Sequence, residues 1–422
     1  MVGKAKISVI GLGYVGLPLA ILAVKNGHDV TGIDLDLQKI QAVNKGIDPI
    51  SDKYVARYLA SSKLKAVSSF ESVGQNSIIL VCVPTPVKNE LQPDLGPLKK
   101  AVSSLAAHLK PKSLIIIEST VNPGVCDEIL IPLIQKISGL KVTKDFDIAH
   151  CPERINPGDK KWNIENIPRV AGASSPRALR SVIKFYSSII KAPIRPMGSL
   201  KEAEAVKIVE NSFRDVNIAF VNELAVSFSR LGINVKNVIE GAATKPFAFM
   251  PHYPSIGVGG HCIPVDPYYL IEYAKGYGFD HEFLSLARAI NNRMPEFVVE
   301  QLIEGLSEAG IKLEDTTVAI LGLSYKANVS DDRESPSYKV IKILESKAVS
   351  VKTYDPHLLH KSSAKSIDEA LKNTEAVILA TDHAEFTDLP KSKHLFKVFV
   401  DGKNTFSKSD FANDVIYKGI GT

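Results

Sequence analysis

The chain is poor in cysteine, the residue that forms disulfides and binds structural zinc. It has only four cysteines in 422 residues, and none of them forms a C-x-x-C pair. Four cysteines are too few for a disulfide scaffold, and their spacing does not fit a zinc knuckle. Reduced thiols are typical of the cytoplasm. We therefore expect a cytoplasmic protein without a metal site. The four cysteines are Cys82, Cys126, Cys151 and Cys262.

The chain also lacks a strong excess of charge. The 51 Lys and Arg residues nearly balance the 46 Asp and Glu residues, so the net charge is +5. Such a small and dispersed excess does not indicate a nucleic-acid or membrane surface. Glycine and proline, 27 and 24 residues, are present at ordinary levels, which excludes collagen-like and low-complexity chains. At roughly 150 residues per domain, the length indicates two or three domains.

One long uncharged run, from Ile7 to Val24, superficially resembles a signal peptide or a short membrane span. The run contains three glycines and a proline, and it lacks the A-x-A sequence of a cleavage site. A strand over Lys6–Ile10, a tight turn and a helix over Tyr14–Asn26 fit the run better. The uncharged segment is therefore predicted to be the first strand and helix of a folded domain.

The turn after the first strand carries a G-x-G-x-x-G sequence. In a dinucleotide-binding domain the first glycine permits the tight turn, the second lets the pyrophosphate approach, and the third lets helix and strand pack closely. The second strand, His28–Ile33, ends in Asp34, whose carboxylate can bind ribose hydroxyls and would repel a 2′-phosphate. We predict an NAD site here, and a glycine-rich turn without a cofactor is the alternative. The turn residues are Gly11, Leu12, Gly13, Tyr14, Val15 and Gly16.

Apolar strands and helices alternate through the rest of the first third, which predicts a parallel, doubly wound sheet. Ligands of such sheets bind beyond the carboxyl ends of the strands. Thr85, Thr120 and Glu153 follow predicted strand ends and are candidate site residues, although each could equally be a turn or cap residue. The predicted strands are Ser77–Val83, Ser113–Glu118 and Asp147–His150, with a helix over Leu98–Leu109.

The middle third is predicted to be helical, with one long helix over Leu200–Leu231. A polar stripe on a helix that is apolar elsewhere needs a partner or a ligand. We assign this stripe to a binding or catalytic site, first of all at Lys207 and Asn211. Residues spaced by three and four positions share one helix face, and the stripe consists of Lys207, Asn211, Arg214, Ile218 and Asn222.

A glycine-rich loop between Gly257 and Pro267 contains Cys262. His261 precedes this cysteine, and Asp266 follows it in the same loop. We expect the glycines to leave backbone room for a bulky ligand beside the thiol. A lone cysteine is more often an inert core residue, but these neighbours make Cys262 a candidate nucleophile.

The last third predicts a second, smaller doubly wound sheet. Its first strand leads into Gly322, Tyr325 and Lys326, and the segment Asp331–Pro336 is expected to open a helix with Pro336 in its first turn. Lys326 and Arg333 could bind phosphates, or they could belong to an exposed ion-pair cluster. The predicted strands are Thr317–Leu321, Val349–Tyr354, Ala376–Ala380 and Val398–Val400.

These patterns predict an α/β protein with two Rossmann-like doubly wound domains joined by a central helical region with a long helix. The expected boundaries are 1–198 for an NAD-binding domain, 199–309 for a central helical domain with the cysteine loop, and 310–422 for a second nucleotide-binding domain.

Together the motifs resemble the UDP-glucose/GDP-mannose dehydrogenase family over nearly the whole chain. The segment Pro246–Pro251 looks most like the UDP-N-acetylglucosamine branch, with the UDP-N-acetylmannosamine branch as the close competitor. Val265 stands where UDP-glucose enzymes carry a lysine, and Lys403 replaces a common arginine, so the role of Lys403 is open. The resemblance rests on Gly11–Gly16, Pro84-Thr85-Pro86, Ser119-Thr120, Pro152-Glu153-Arg154, Lys207 with Asn211, Gly259-Gly260-His261-Cys262, Gly322-x-x-Tyr325-Lys326 and Asp331–Pro336.

The resemblance implies a four-electron, NAD-dependent oxidation of a sugar C6 hydroxyl to a carboxylate, for polysaccharide or glycan precursor synthesis. The best candidate substrate is UDP-GlcNAc, and UDP-ManNAc and UDP-glucose are alternatives. Cys262 would form a thiohemiacetal and then a thioester, while Lys207 and Asn211 hold the oxyanion. The general base stays open between Lys207, Asp266 and a water held by Thr120 and Glu153.

Two other classes of function compete with this one. A non-catalytic NAD- and nucleotide-binding protein would have no need for Cys262, Lys207 and Asn211 together. A two-electron hydroxyacid dehydrogenase would share the first domain and a helical middle, but it would have no use for Cys262.

The resemblance also implies which residues bind each ligand and how the chain assembles. It implies a homodimer through the long helix, with a UDP-sugar as the small-molecule partner. The implied cofactor ligands beyond the glycine turn are Asp34, Lys39, Thr85, Thr120 and Arg333. The implied substrate ligands are Glu153, Arg154, Lys207, Asn211, Arg214, Gly259, Tyr325 and Lys326.

Overall fold

The structure is a computed structural model that describes residues 4–86, 93–155, 161–391 and 396–422. It has two compact units, the first formed by Met1–Glu210 with Tyr268–Phe279 and the second by Asn211–Pro267 with Asp280–Thr422. Helix α7 (Leu200–Leu231) contributes residues to both units. The division into domains 1–198, 199–309 and 310–422 stays a prediction.

The first unit is built on an eight-stranded sheet. Its strands are β1 (Lys6–Ile10), β2 (Asp29–Ile33), β3 (Lys65–Val67), β4 (Ile78–Val81), β5 (Ser113–Ile117), β6 (Phe146–His150), β7 (Arg169–Ala173) and β8 (Ile194–Pro196). Their order is β3-β2-β1-β4-β5-β6-β7-β8. The pairing of β6 with β7 is antiparallel, and the other pairings in this sheet are parallel. The first six strands have the 3-2-1-4-5-6 order of a doubly wound dinucleotide-binding sheet.

Helices cover both faces of this sheet, so its central strands are apolar on both sides. On β5, Leu114 and Ile116 pack with the helices Gly16–Lys25 and Pro176–Ile189, while Ile115 and Ile117 pack with the helices Gly96–His108 and Ile131–Ser138. This alternation explains why β5 has no polar face. The helices are α1 (Gly16–Lys25), α2 (Leu37–Asn44), α3 (Lys53–Tyr58), α4 (Gly96–His108), α5 (Ile131–Ser138) and α6 (Pro176–Ile189).

The second unit carries a five-stranded sheet. Its strands are β9 (Thr317–Leu321), β10 (Ser350–Tyr354), β11 (Ala376–Leu379), β12 (Val398–Asp401) and β13 (Ile416–Gly419). They are ordered β10-β9-β11-β12-β13, and all these pairings are parallel. The order changes direction between β9 and β11, and doubly wound sheets bind ligands at the carboxyl edge of such a point. The remaining helices are α8 (Val235–Ala243), α9 (Asp266–Lys275), α10 (Glu282–Glu308), α11 (Ser337–Ser346) and α12 (Ile367–Leu371).

The predicted fold class is confirmed, and the predicted strands agree with the observed ones to within two residues. Three helix starts differ from expectation, and α4 begins at Gly96 rather than Leu98. Helix α1 begins at Gly16 rather than Tyr14, because the turn extends through Val15, and α11 begins at Ser337 with Pro336 as its N-cap. Sequence patterns missed β3, β7, β8, β13 and the bounds of α10. Within the described ranges, none of the helices combines the length and the apolar character needed to cross a bilayer.

Candidate active site

The three glycines of the turn after β1 differ in their surroundings. Gly11 has a φ of +91°, and a Cβ there would lie 2.8 Å from the carbonyl oxygen of Cys82. A Cβ at Gly16 would lie 1.9 Å from the carbonyl oxygen of Gly11, so only glycine permits this packing. A Cβ at Gly13 would meet no described protein atom within 4 Å. The backbone at Gly13 is therefore open to a ligand.

The N-terminus of α1 fits an anionic group. No side chain caps this end, whereas Asp36 caps α2 and Ser175 caps α6. The first backbone N–H groups of a helix have no partner within the helix, and they lie at the positive end of its dipole. A pyrophosphate beside Gly13 would meet these N–H groups.

Asp34 lies at the end of β2, beside the glycine turn. Its Oδ2 accepts hydrogen bonds from the N–H of Leu12 at 2.8 Å and from Nζ of Lys39 at 3.1 Å, and its Oδ1 accepts one from the N–H of Asp36 at 3.0 Å. Burial favours a higher pKa for Asp34, but these hydrogen bonds outweigh it and lower the pKa. Asp34 is therefore an ionised acceptor next to the turn, as ribose binding requires.

Thr85, Thr120 and Glu153 lie at the same edge of the first sheet. Ile117 of β5 pairs with His150 of β6, so Thr120 and Glu153 each follow the sheet by three residues at its carboxyl edge. Oγ1 of Thr85 donates a hydrogen bond of 2.6 Å to the carbonyl oxygen of Thr120. The fold thus brings these three predicted residues to the edge where ligands bind.

The carboxylate of Glu153 is fixed from two sides. Its Oε1 accepts the backbone N–H groups of Arg154 at 2.5 Å and Ile155 at 2.6 Å, and its Oε2 accepts Arg169 at 2.5 Å. The guanidinium of Arg154, a predicted substrate ligand, donates instead to Glu210 and to the carbonyl oxygen of Pro168. These contacts hold Glu153 as an oriented acceptor.

Arg169 is a buried residue that the sequence patterns missed. It also donates to both oxygens of Glu118, at 2.7 and 2.9 Å, and the hydroxyl of Tyr186 donates to Glu118 as well. Burial raises the pKa of Glu118 to about 7, and the neighbouring charge of Glu153 acts in the same direction. The charged residue Glu118, immediately after the apolar run Leu114–Ile117 of β5, was the signal available in the sequence.

Helix α7 is anchored near Lys207 by Glu204, a second residue that the sequence patterns missed. Glu204 is fully buried, and its carboxylate accepts the N–H groups of Gly124 at 2.6 Å and Cys126 at 2.8 Å. Gly124 and Cys126 follow Thr120 along the chain. Glu204 therefore joins the loop after Thr120 to the helical turn before Lys207, which is half-buried.

In the second unit, the cysteine loop brings three predicted residues together. Nδ2 of Asn211 donates to Oδ2 of Asp266 at 2.5 Å, and the N–H of Asp266 donates to the carbonyl oxygen of Cys262 at 2.8 Å. Asn211 and Asp266 are buried, whereas Cys262 is exposed. The other three cysteines are buried, and burial raises the pKa of their thiols. Cys262 is therefore the accessible thiol among the four.

The predicted polar stripe on α7 separates into different environments. Arg214 is exposed, in contrast to buried Asn211. Asn222 is fully buried, donates to Asn291 at 2.8 Å, and accepts the N–H of Ser255 at 2.9 Å. Asn222 is thus tied to α10 and to the start of the cysteine loop.

The expected reason for the glycines before Cys262 is wrong. A Cβ at Gly259 would lie 2.7 Å from Cβ of Tyr325, and one at Gly260, where φ is +88°, would lie 2.9 Å from the Tyr325 ring. The N–H of Gly260 also donates to the carbonyl oxygen of Arg333 at 2.9 Å. The space beside these glycines is occupied by the protein itself, because the loop packs on the segment after β9. A substrate contact by Gly259 stays a prediction.

The predicted ligands of the second sheet lie at its carboxyl edge. Tyr325 and Lys326 follow β9 and are half-buried. Arg333 is exposed, and its guanidinium binds the carboxylate of Asp331, with Nη2 and Oδ2 at 2.6 Å. Lys403 follows β12, and burial lowers the pKa of its ammonium group. Basic side chains thus follow β9 and β12 at the carboxyl edge of this sheet.

Comparison with known proteins gives matches along most of the chain. Three models of the UDP-glucose/GDP-mannose dehydrogenase family match it: the NAD binding domain over residues 5–190, the central domain over 201–293 and the UDP binding domain over 319–408.

Individual relatives match over nearly their full length. The chain is 36% identical over 426 residues to the UDP-N-acetyl-D-mannosamine dehydrogenase of Pyrococcus horikoshii, covering 99% of both chains. It is 36% identical over 390 residues to the UDP-N-acetyl-D-glucosamine 6-dehydrogenase of Pseudomonas aeruginosa, covering 91% of this chain and 92% of the relative. A solved structure of the Pyrococcus horikoshii UDP-D-ManNAc dehydrogenase superposes with a TM-score of 0.91 and 37% identity over 99% of each chain.

Proposed function

Because the chain belongs to the UDP-glucose/GDP-mannose dehydrogenase family and is an NAD-dependent UDP-sugar dehydrogenase, we propose that it oxidises the C6 hydroxyl of a UDP-N-acetylhexosamine to a carboxylate. The observation that carries this proposal is the exposed Cys262 in the loop whose Asp266 binds Asn211. Oxidation past the aldehyde requires a nucleophile to add to the aldehyde carbon, and a thiol is well suited to this addition.

The proposed reaction removes four electrons in two oxidations. The first converts the C6 alcohol to an aldehyde and releases one proton. The thiolate of Cys262 then adds to the aldehyde carbon to form a thiohemiacetal, and the second oxidation converts this adduct to a thioester. Water cleaves the thioester to the carboxylate and restores the thiol. NAD, when bound, accepts the hydride in each oxidation, so two NADH form per sugar.

The first unit offers residues that fit NAD. The open backbone at Gly13 and the uncapped N-terminus of α1 suit the pyrophosphate, and Asp34 suits the ribose hydroxyls. A 2′-phosphate would face the charge of Asp34, which favours NAD over NADP. We propose further cofactor contacts from Leu12, Tyr14, Val15, Lys39, Thr85, Thr120 and Arg333.

Asn211 and Lys207 are proposed to stabilise the negative oxygen on C6 during the steps at sulfur. One N–H of the Asn211 amide is bound to Asp266, which fixes the amide plane and leaves the second N–H to donate. Lys207 lies one helical turn earlier on α7. Each such donor can lower the barrier by roughly 3 kcal/mol.

Glu153 is proposed to hold a water together with Thr120, rather than to carry a proton by itself. Its carboxylate already accepts hydrogen bonds from Arg169 and two backbone N–H groups, which suits a fixed acceptor. The general base is proposed to be this water, Lys207 or Asp266. We propose sugar-nucleotide contacts from Arg154, Arg214, Gly259, Tyr325 and Lys326.

UDP-GlcNAc is our first choice of substrate. The segment Pro246–Pro251 supports this choice, and Val265 in place of a lysine argues against UDP-glucose. Relatives named for UDP-GlcNAc and for UDP-ManNAc are equally identical to the chain, so UDP-ManNAc is the second choice. Either product would be a uronic acid suited to polysaccharide or glycan synthesis.

The test is a substrate panel in which NADH absorbance and loss of the sugar are followed together. UDP-GlcNAc, UDP-ManNAc, UDP-GalNAc and UDP-glucose are each supplied with excess NAD. We expect two NADH per UDP-GlcNAc consumed and a lower kcat/KM for UDP-glucose. One NADH per sugar would contradict the thioester route. A thermal shift with NAD, but no NADH from any sugar, would favour the non-catalytic binding protein.

We further propose that the enzyme is a homodimer. Phe213 and Phe220 on α7, and Phe283 and Leu286 on α10, are each at least half exposed. Apolar groups at such spacing are typical of a buried interface, and α7 and α10 pack together through Ala219, Ala287 and Ile290. Light scattering on a sizing column should give twice the mass of 45.9 kDa. A mass of one chain would contradict the dimer.

A cytoplasmic location is proposed from the cysteine usage alone. The four cysteines are reduced thiols in the structure, and a nucleophilic Cys262 needs to stay reduced. Fractionation that places the enzyme outside the cytoplasm would contradict this location.

A further inference from the structure

We propose that Arg169 is a positioning residue that holds the carboxylate of Glu153 for the reaction. This inference rests on the proposed function, because it assigns Arg169 a task in serving Glu153. Arg169 itself is fully buried, so it acts through Glu153 rather than on the sugar or the cofactor.

The contacts of Arg169 join three strands at one edge of the first sheet. Nη2 donates to Oε2 of Glu153 at 2.5 Å, and Nη1 donates to both oxygens of Glu118 at 2.7 and 2.9 Å. Glu118 follows β5, Glu153 follows β6, and Arg169 begins β7. A planar guanidinium can serve two carboxylates at once, whereas a lysine ammonium is a single point charge.

The antiparallel strand β7 places Arg169 at this edge. Because β7 runs against β6, its first residue lies near the carboxyl end of β6. A parallel β7 would put its first residue at the opposite edge. The change of strand direction between β6 and β7 thus brings a cation to the place where Thr120 and Glu153 lie.

Glu118 holds the other side of the Arg169 guanidinium in a fixed position. It is 1% exposed, and it accepts a hydrogen bond from the Tyr186 hydroxyl in addition to those from Arg169. The guanidinium carbon of Arg169 lies 5.1 Å from the centre of the Tyr186 ring. With Glu118 and Tyr186 on one side, the guanidinium can hold Glu153 on the other side in one orientation.

Burial of these charges is weak support for a purely stabilising role. Replacing buried ion pairs by apolar side chains is often neutral or stabilising. Among the described residues, Nε of Arg169 has no hydrogen-bond partner. An arginine that leaves one buried donor unsatisfied, yet uses both terminal nitrogens on two carboxylates, is better explained by the geometry it imposes on Glu153.

The experiment compares Arg169→Lys with wild type, alone and in a Glu153→Gln background. We expect Arg169→Lys to lower kcat about 10- to 100-fold, with the KM of NAD and of the UDP-sugar changed less than about threefold. In the Glu153→Gln background the same change should lower kcat less than about twofold, because the two residues act as one unit. Arg177→Lys is the matched control, since Arg177 forms an exposed pair with Asp147, and its kcat should stay at the wild-type value.

Glu118→Gln and Tyr186→Phe serve as second variants if Arg169→Lys does not fold. Each should give a smaller loss of kcat that also disappears in the Glu153→Gln background. Equal losses in both backgrounds, a change in KM alone, or full activity of either Arg169→Lys or Glu153→Gln would overturn the positioning role.

A crystal structure of Arg169→Lys separates this inference from the proposed function. We expect the Glu153 carboxylate to leave its present orientation when Oε2 loses the guanidinium. An unmoved carboxylate would overturn the inference, whatever the activity. Absence of NADH from wild type with every UDP-sugar would instead contradict the proposed function. The crystal structure would then still show whether Arg169 holds the Glu153 carboxylate.

Discussion

Asn211 and Asp266 are joined by a hydrogen bond of 2.5 Å between Nδ2 and Oδ2, although 55 residues separate them along the chain. The N–H of Asp266 also donates to the carbonyl oxygen of Cys262. The loop with the thiol and the helix with the amide are therefore connected through one aspartate. An amide held in this way needs little reorganisation when charge develops on the substrate oxygen.

Asp266→Asn should impair catalysis more than substrate binding. The substitution keeps the shape but removes the anionic acceptor that orients Asn211. We expect kcat to fall about 100-fold or more, with KM values changed less than about threefold. Steady-state kinetics measure both. Asn217→Ala is the control on the same helix, because its Nδ2 donates to the carbonyl oxygen of Phe213, within the helix itself. A wild-type kcat for Asp266→Asn would contradict the orienting role.

Asp34→Asn should weaken discrimination between the two nicotinamide cofactors. The variant loses the charge that faces a 2′-phosphate, and it also loses the ionic contact with Lys39. We expect the KM of NAD to rise about 10-fold and the ratio of NADP to NAD use to increase. Asp29→Asn, at the exposed start of the same strand, should leave both KM values unchanged. An unaltered cofactor preference in Asp34→Asn would exclude this role.

Gly13→Ala should weaken NAD binding, whereas Gly259→Ala should lower the stability of the fold. At Gly13 the added methyl group meets no described protein atom, so stability should change by less than about 1 kcal/mol while NAD affinity falls about 10-fold or more. At Gly259 the methyl group would lie 2.7 Å from Cβ of Tyr325, so stability should fall by about 1–3 kcal/mol with NAD affinity retained. Urea unfolding and NAD titration test the pair, and the reverse pattern would contradict both assignments.

His150 should make the protein less stable as the pH falls. Burial lowers the pKa of His150 to about 3, and within the described ranges neither ring nitrogen has a hydrogen-bond partner. Below about pH 6.5 the unfolded chain binds a proton that the folded imidazole excludes, so this part of the stability is complete above pH 6.5 and decreases as the pH falls. Between about pH 7.5 and pH 5 the expected loss is about 2 kcal/mol.

The His150→Leu variant isolates this effect. Its stability should depend less on pH than that of wild type over the same interval, since the variant has no imidazole to titrate. Urea unfolding at several pH values measures the difference between the two proteins. A difference that stays constant with pH would show that the pKa of His150 is the same in the folded and unfolded states.

Local patterns predicted most of the strands, the long helix α7 and the glycine turn, because those features depend on neighbouring residues. The strand–turn–helix from Lys6 to Lys25 follows from apolar spacing and from three glycines. The same patterns could not find Arg169, because its partners Glu118 and Glu153 precede it by 51 and 16 residues. Such contacts depend on the order and the direction of strands, which local spacing does not encode.

The two sheets show how similar patterns lead to different sites. Asp355 follows β10 as Asp34 follows β2, and it likewise accepts a backbone N–H from the turn after the neighbouring strand, here that of Leu323 at 2.7 Å. Asp355 is fully buried, and its Oδ2 also accepts hydrogen bonds from Ser324 and His383. These partners surround Asp355, whereas Asp34 is only partly buried. The surrounding side chains, and not the strand pattern, decide between the two outcomes.

The sulfur of Cys262 carries the central step of the proposed reaction. The decisive measurement is the number of NADH formed per UDP-GlcNAc consumed, or per UDP-ManNAc if the panel selects it, for wild type and Cys262→Ser at saturating NAD. We predict a ratio of two for wild type. We predict loss of net uronic acid formation by the variant, which should keep its affinity for NAD. A ratio of one for wild type, or unchanged uronic acid formation by Cys262→Ser, would contradict covalent catalysis at Cys262.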